Sequence, residues 1–173
     1  LPRTKIWNML VKTFGAAVTG IDAITITIEV NVTRGIRFFL VGLPDNAVKE
    51  SQQRIESVFK EMGHKWPGKR IVINMAPADT RKEGSAYDLP IAVGILAADE
   101  QISAPDISEY MMMGELSLDG TVHPVKGALP IALQARADGF KGLIVPNSNA
   151  REAAVVKGLD VYGVSSFHEV VDF

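Results

Sequence analysis

The 173-residue sequence contains no cysteine, which excludes disulfide stapling, a thiol nucleophile and cysteine-ligated zinc or iron–sulfur sites. No apolar run approaches the roughly 18 residues of a membrane-spanning helix, and the opening LPRTKIWN is polar and of mixed charge, unlike a secretory leader. Histidine is scarce. His64, His123 and His168 stand far apart, with no His-Glu-x-x-His, so no metal site is expected. Net charge is −2, too small to call for nucleic acid or membrane by itself. These absences lead to the expectation of a soluble, cytoplasmic protein with no membrane partner.

What is present is core. With 47% hydrophobic residues and no repeat, low-complexity tract or Ser/Gly-rich linker, the chain reads as one domain. Residues 1–8 are read as an extension appended ahead of a natural start at Met9, leaving 9–173 as the domain. Charge is unevenly spread: residues 1–82 hold 13 Lys and Arg against 7 Asp and Glu, and residues 83–173 hold 5 against 13. Part of the basic excess surrounds a loop that also carries an aromatic. Lys65, Trp66, Lys69, Arg70, Arg81 and Lys82 are therefore candidate DNA-contacting residues, the cations for phosphate and the indole for a base. The alternative is a solvated loop beside a helix end.

The apolar pattern divides the chain. AITITIEVNVT (23–33) alternates Ile24, Ile26, Ile28, Val30 and Val32 with polar residues, the period of a strand with one wet face. The β-rich segments VKTFGAAVTG and IRFFLVGLP flank it, and three consecutive strands suggest an antiparallel start. LPDNAVKESQQRIESVFKEMG then takes helical spacing, with Asp45 or its neighbour as cap and Gly63 as stop. KRIVINMAP is a buried strand, and YDLPIAVGILAADEQI a core helix that tolerates Pro90 in its first turn. MMMGELSLDGTVHPV is expected to be a hairpin around Asp119-Gly120. GALPIALQARADG, KGLIVP, NAREAAVVKG, DVYGVSS and FHEVVDF alternate helix and strand to the end. Strands first, then alternation, give a mixed α/β domain.

The sequence offers three candidate chemistries. Gly63, Gly68 and Lys69 of GHKWPGKR match a phosphate loop in part, but Arg70 stands where Ser or Thr should ligate magnesium. Here a helix precedes and a strand follows, the reverse of the strand-to-helix order that lets backbone amides hold phosphate. Asp79, Glu83, Asp88 and Glu115 could pair for acid–base work; alternatively Asp88 answers backbone donors at a helix start and Glu115 caps or pairs with a cation. Finally, Ser85 lies in a Gly-Ser turn before the core helix. It would need a base, and Lys126 is the one lysine between Lys82 and Lys141; a desolvated lysine can serve.

GELSLDGTVHPVKGALPIALQARADGFKGLIVPNSNAREAA (114–154) resembles the corresponding part of the Lon protease catalytic domain, whose pattern runs Gly-Glu-hydrophobic-Ser/Thr-Leu-x-Gly-x-Val-x-Pro, then helix and strand. KEGSAYDLPIA resembles that domain's Gly-Pro-Ser-Ala-Gly nucleophile turn. With MLVKTFGAAVTGIDA, FFLVGLPDNAVKESQQRIESV and INMAPADTRKEGSAYDLPIAVGIL, residues 9–173 resemble the amino-terminal domain of the ComM/YifB family of magnesium-chelatase-like AAA+ ATPases. The resemblance implies an α+β mixed sheet with helices, the Lon-protease-like, ribosomal protein S5 domain 2-like fold.

Residue by residue, the resemblance implies lost catalysis. The Lon lysine lies five residues after the proline of Val-x-Pro; from Pro124 that position is Leu129, and Lys126 stands where Lon has glycine. Placing Ser85 on the Lon serine requires deleting a proline, whereas an ungapped alignment from the following helix puts Tyr87 there. The implied role is a noncatalytic accessory domain, with no catalytic residue or cofactor of its own. ATP and magnesium belong to a motor domain expected after Phe173. Implied partners are that motor, further copies in a ring, and DNA during recombination or branch migration in natural transformation. The alternatives are an active Ser–Lys peptidase using Ser85 and Lys126, a pure oligomerisation module, or a magnesium chelatase subunit domain.

Overall fold

The computed structural model describes residues 9–173; the reading of residues 1–8 as an extension lies outside them. The alternation in residues 23–33 makes a strand as expected. Strands β1 (Met9–Thr19) and β2 (Asp22–Thr33) form a long antiparallel hairpin. In β2, Ile26, Ile28, Val30 and Val32 are buried while Thr25, Thr27, Glu29 and Asn31 are half-buried, so the sheet has two unlike faces.

The third strand departs from the expected antiparallel run. Strand β3 (Phe38–Val41) does not pair with β2; it lies parallel to β4 (Arg70–Ala76), which takes the outer edge of β2. The cause is the helical crossover between β3 and β4, which returns the chain in the same direction. That crossover was expected as one helix and is two, α1 (Asn46–Lys49) and α2 (Ser51–Glu61), broken at Glu50. At the break the Ala47 carbonyl accepts from Arg54 Nη2 at 2.7 Å. Helix α2 stops where the glycine signal placed it: Gly63 has φ 78°, and the His64 N–H bonds the Phe59 carbonyl at 2.8 Å.

Helix α3 (Asp88–Ala98) leads to β5 (Tyr110–Met112), which joins β1 in parallel. The hairpin expected over MMMGELSLDGTVHPV is shorter than predicted. Met111 and Met112 belong to the large sheet, and only β6 (Glu115–Leu116) and β7 (Val122–His123) pair across Asp119-Gly120. Then α4 (Ala128–Ala137), β8 (Gly142–Pro146), α5 (Asn147–Ala153), β9 (Asp160–Val164) and α6 (Phe167–Asp172) complete the chain. The seven-stranded mixed sheet runs β3-β4-β2-β1-β5-β8-β9.

Helices cover the two faces differently. Helix α3 presses on the face that carries Ile28 and Val30: a Cβ at Gly94 would stand 2.7 Å from Val30 Cγ2, and Thr13 Oγ1 donates to the Pro90 carbonyl at 2.9 Å. Trp66 packs with Phe38 and Phe59 on that same face. Helix α4 lies on the opposite face, near the end where Thr25 Oγ1 bonds Asp138 and Phe14 meets the Phe140 ring at 5.1 Å. The rest of that second face, over β3, β4, β2 and the start of β1, is where the half-buried and exposed side chains collect.

Candidate functional site

The turn at Ser85 is built by three contacts from distant chain. Lys82 and Pro44 form an isolated parallel bridge, with Lys82 N to Leu43 O at 3.0 Å and Asp45 N to Lys82 O at 2.9 Å. Asp45 caps α1 through Val48 N at 2.8 Å and uses its other oxygen to accept from Gly84 N at 3.0 Å. One carboxylate thus fixes a helix start and the glycine before Ser85. On the other side the Gly114 N–H reaches the Ala86 carbonyl at 2.8 Å. Pro90, four residues on, has no N–H to offer that carbonyl, so the β5–β6 junction satisfies it. Asp45→Ala should lower unfolding free energy by about 1–2 kcal/mol, read from urea melts, because both acceptors vanish.

Asp88 opens α3 and is fully buried. Its carboxylate takes Arg54 Nε at 2.6 Å and Nη2 at 2.9 Å, and the Leu116 N–H at 3.1 Å. The expectation that Asp88 answers donors of its own helix is therefore corrected: it ties α3 to α2 and to β6. Burial pushes its carboxyl up to about 6, against the opposing pull of Arg54 and the Leu116 N–H. Arg54 was not singled out from sequence. Its four-residue spacing from Glu50, which it approaches at 3.7 Å, reads as an ordinary exposed helix pair.

Ser85 itself is half-buried and contributes its carbonyl to the Asp88 N–H at 3.1 Å; among the described residues no hydrogen bond joins its hydroxyl to a base. Lys126 is exposed in the loop before Gly127, and Leu129 is half-buried at the start of α4. The desolvated lysine is Lys82. Its Nζ donates to the Pro77 carbonyl, and burial lowers its pKa, with Asp79 opposing. Tyr87 is buried beside the turn, which raises its phenol pKa. A Cβ on Gly15 would stand 3.4 Å from the Tyr87 ring. Glu83 is exposed and paired with Arg81 at 3.0 Å; Asp79 is exposed; Glu115 is half-buried opposite His123, whose ring bonds Ser117 Oγ.

The basic candidates separate. Lys82 has no exposed surface, so its place among phosphate-contacting residues is corrected. Trp66 is half-buried against Phe38 and Phe59, its stacking capacity used by the core. Lys65, Lys69, Arg70 and Arg81 are exposed. Lys69 pairs with Asp99 at 2.7 Å and Arg81 with Glu83, exposed pairs worth about 0–1 kcal/mol that a phosphate can displace. Arg70 lies over the Phe39 ring at 5.1 Å, on the second sheet face. The partial phosphate-loop match runs from the end of α2 into β4, with Lys69 held by Asp99, and forms no anion cradle.

Among the described residues no group of three or more His, Asp or Glu is placed to hold a metal ion, and no helix is long and apolar enough to cross a membrane. A cleft of about 210 Å³ lies among Val93, Ile102, Tyr110, Ile144, Val170 and Phe173. Its lining has one titratable acid, Asp106, and one phenol, Tyr110.

Comparison with known proteins places these features. A family profile described as subunit ChlI of Mg-chelatase matches residues 28–149. Competence protein ComM of Haemophilus influenzae is 40% identical over 161 residues, covering 92% of this chain and 31% of the relative. The uncharacterised protein YifB of Escherichia coli is 43% identical over 143 residues, 82% of this chain and 28% of the relative. Lon protease 2 of Bacillus subtilis is 32% identical over 127 residues, 72% of this chain and 22% of the protease. The chain thus spans less than a third of the length of these relatives.

Proposed function

The chain belongs to the Mg-chelatase-like family that includes ComM and YifB and has the mixed α/β, Lon-like fold, and from that premise we propose that it is a noncatalytic accessory domain that engages DNA and helps assemble a ring. The observation that carries the noncatalytic reading is the construction of the Ser85 turn. Its nearest buried lysine is committed to a backbone carbonyl, its following carboxylate is locked on Arg54, and the lysine of the peptidase alternative is in solvent.

The partners of this reading are the chain's own ATPase motor, further copies of itself, and DNA, in the cytoplasm. ATP and magnesium belong to the motor. The helix-to-strand segment around Gly63 and Lys69 does not suit a triphosphate, so no step is assigned to nucleotide here. Exposed cations in the first half of the chain supply the phosphate contacts.

The test is binding of a labelled oligonucleotide by fluorescence polarisation at 50 and 200 mM salt, beside a peptidase assay on wild type and Ser85→Ala. With about three phosphates neutralised, affinity should fall on the order of twentyfold between the two salts. No hydrolysis should depend on Ser85. Salt-insensitive or absent binding removes the DNA role; hydrolysis abolished in Ser85→Ala overturns the noncatalytic reading. Mass that rises with concentration supports assembly, and with no DNA affinity it leaves a pure oligomerisation module.

A further inference from the structure

Among the described residues, the sheet face opposite α3 is only partly covered. Helix α4 occupies one end, over Ala16 and Thr25, and the registers place the side chains of the remainder in rows. One row is Phe39, Val72, Asn31 and Leu10; the next is Val41, Asn74, Glu29 and Lys12. All are half-buried or exposed, Leu10 at 54% and Val41 at 46%. Arg70 closes the platform beside Phe39, against Gly35 of the β2–β3 loop, and that loop carries Arg34 and Arg37.

Charge selects the occupant. Lys12, Arg34, Arg37 and Arg70 lie on or beside this surface, against Glu29 within the two rows, whose carboxylate already accepts from Asn74 Nδ2 at 2.8 Å. A second copy of the same face would set cations against cations. A polyanion would not. Between polyanions, the flat Phe39–Arg70 pair offers a π surface, and the Asn31 and Asn74 amides offer both donors and acceptors to a base edge. A carboxylate peptide uses none of these. Duplex bases are stacked within the helix and cannot reach a flat sheet, whereas splayed single-strand bases can.

We propose that this face of β3, β4, β2 and β1 binds single-stranded nucleic acid without sequence preference, a base stacking at the Phe39–Arg70 pair and Lys12 and Arg37 contacting phosphates. The proposal rests on the DNA-engaging reading above and moves its surface. The contacts come from the open sheet face rather than from the loop holding Lys65 and Trp66.

The experiment is polarisation titration of the 173-residue chain with a labelled single-stranded oligonucleotide, with duplex and polyglutamate as competitors. Phe39→Leu keeps the strand's apolar bulk and should weaken binding roughly five- to tenfold for all sequences. Arg70→Gln should weaken it likewise, and Arg37→Gln should flatten the salt dependence by about one phosphate. Lys65→Gln with Lys69→Gln should change affinity less than about twofold if phosphate contacts lie on the sheet. Phe39→Trp serves as a second readout: binding is kept and its added emission is quenched by the oligonucleotide.

If Phe39 and Arg70 variants bind as wild type while the Lys65 and Lys69 variant loses affinity, this surface is wrong and the DNA-engaging reading stands. Equal competition by polyglutamate or preferential competition by duplex also overturns the single-strand proposal. No binding by wild type at low salt removes both.

Discussion

Asp88→Ala should lower the unfolding free energy by about 3–5 kcal/mol at neutral pH, the scale for removing one partner of a buried ion pair. The loss is not that of one favourable contact. Arg54 keeps its charge at every accessible pH and its side chain is only 17% exposed, so without the carboxylate its Nε–H and an Nη2–H lose their acceptor inside the fold. The Leu116 N–H loses its acceptor as well. Replacing both residues, as Arg54→Met with Asp88→Leu, should cost less than Asp88→Ala alone, because it leaves no charge unpaired. Urea unfolding of the two single variants and the double variant measures this. If the double variant is as unstable as the sum of the singles, the pair is not the coupled unit described.

The same pair sets a pH dependence. Burial raises the Asp88 carboxyl to about 6 in the folded chain, above the ordinary carboxylate value near 4. As pH falls, the folded chain takes up this proton before the unfolded chain does. Its contribution is therefore greatest below about pH 4, is lost as pH rises through about 6, and is flat beyond. Relative to Asp88→Asn, which cannot titrate, wild type should lose stability on the order of 2–3 kcal/mol between those limits. A difference that stays constant from pH 4 to 7 would show that Asp88 keeps an ordinary pKa. A costly pair to break and a pair penalised by burial are compatible: the first compares it with one charge left behind, the second with a neutral acid.

What could be read from the chain was the local part of this arrangement. Alternation in β2 disclosed a wet face, and Asp45 and Gly63 marked the helical crossover, because cap and stop chemistry act within a few residues. The position of β3 was not legible, since the edge to which a strand returns is decided by the length of the intervening crossover and the competition for β2. The site divides in the same way. Ser85 could be named from its turn, but the Arg54 fork on Asp88 joins residues 34 positions apart. Sequence proximity alone groups Lys82 and Trp66 with exposed cations. One is buried under the Pro77 carbonyl and the other is packed on Phe59, whereas Phe39 and Arg70 meet through the sheet register.

Gly42→Ala should be the most damaging single methyl in this chain, with a cost above about 4 kcal/mol or failure to give soluble protein. Gly42 has φ 107°, a conformation that side chains rarely adopt, and a Cβ built there would lie 2.1 Å from the Met75 carbonyl oxygen. The obstacle is backbone. Met75 is in the body of β4, paired with Ile28 of β2, so relief requires shifting the ladder that carries the core. Gly20 provides the control: it too has positive φ, 63°, but nothing lies within 4 Å of its Cβ position, so Gly20→Ala should cost only about 1–2 kcal/mol. Equal urea midpoints for the two variants would show that β3 moves away from β4 freely. The unequal result has a functional corollary, because Gly42 leads from β3 into Leu43, Pro44 and Asp45. Those residues hold the Lys82 bridge and the Gly84 amide, so one close approach of backbone to backbone secures both the edge of the open sheet face and the turn that presents Ser85.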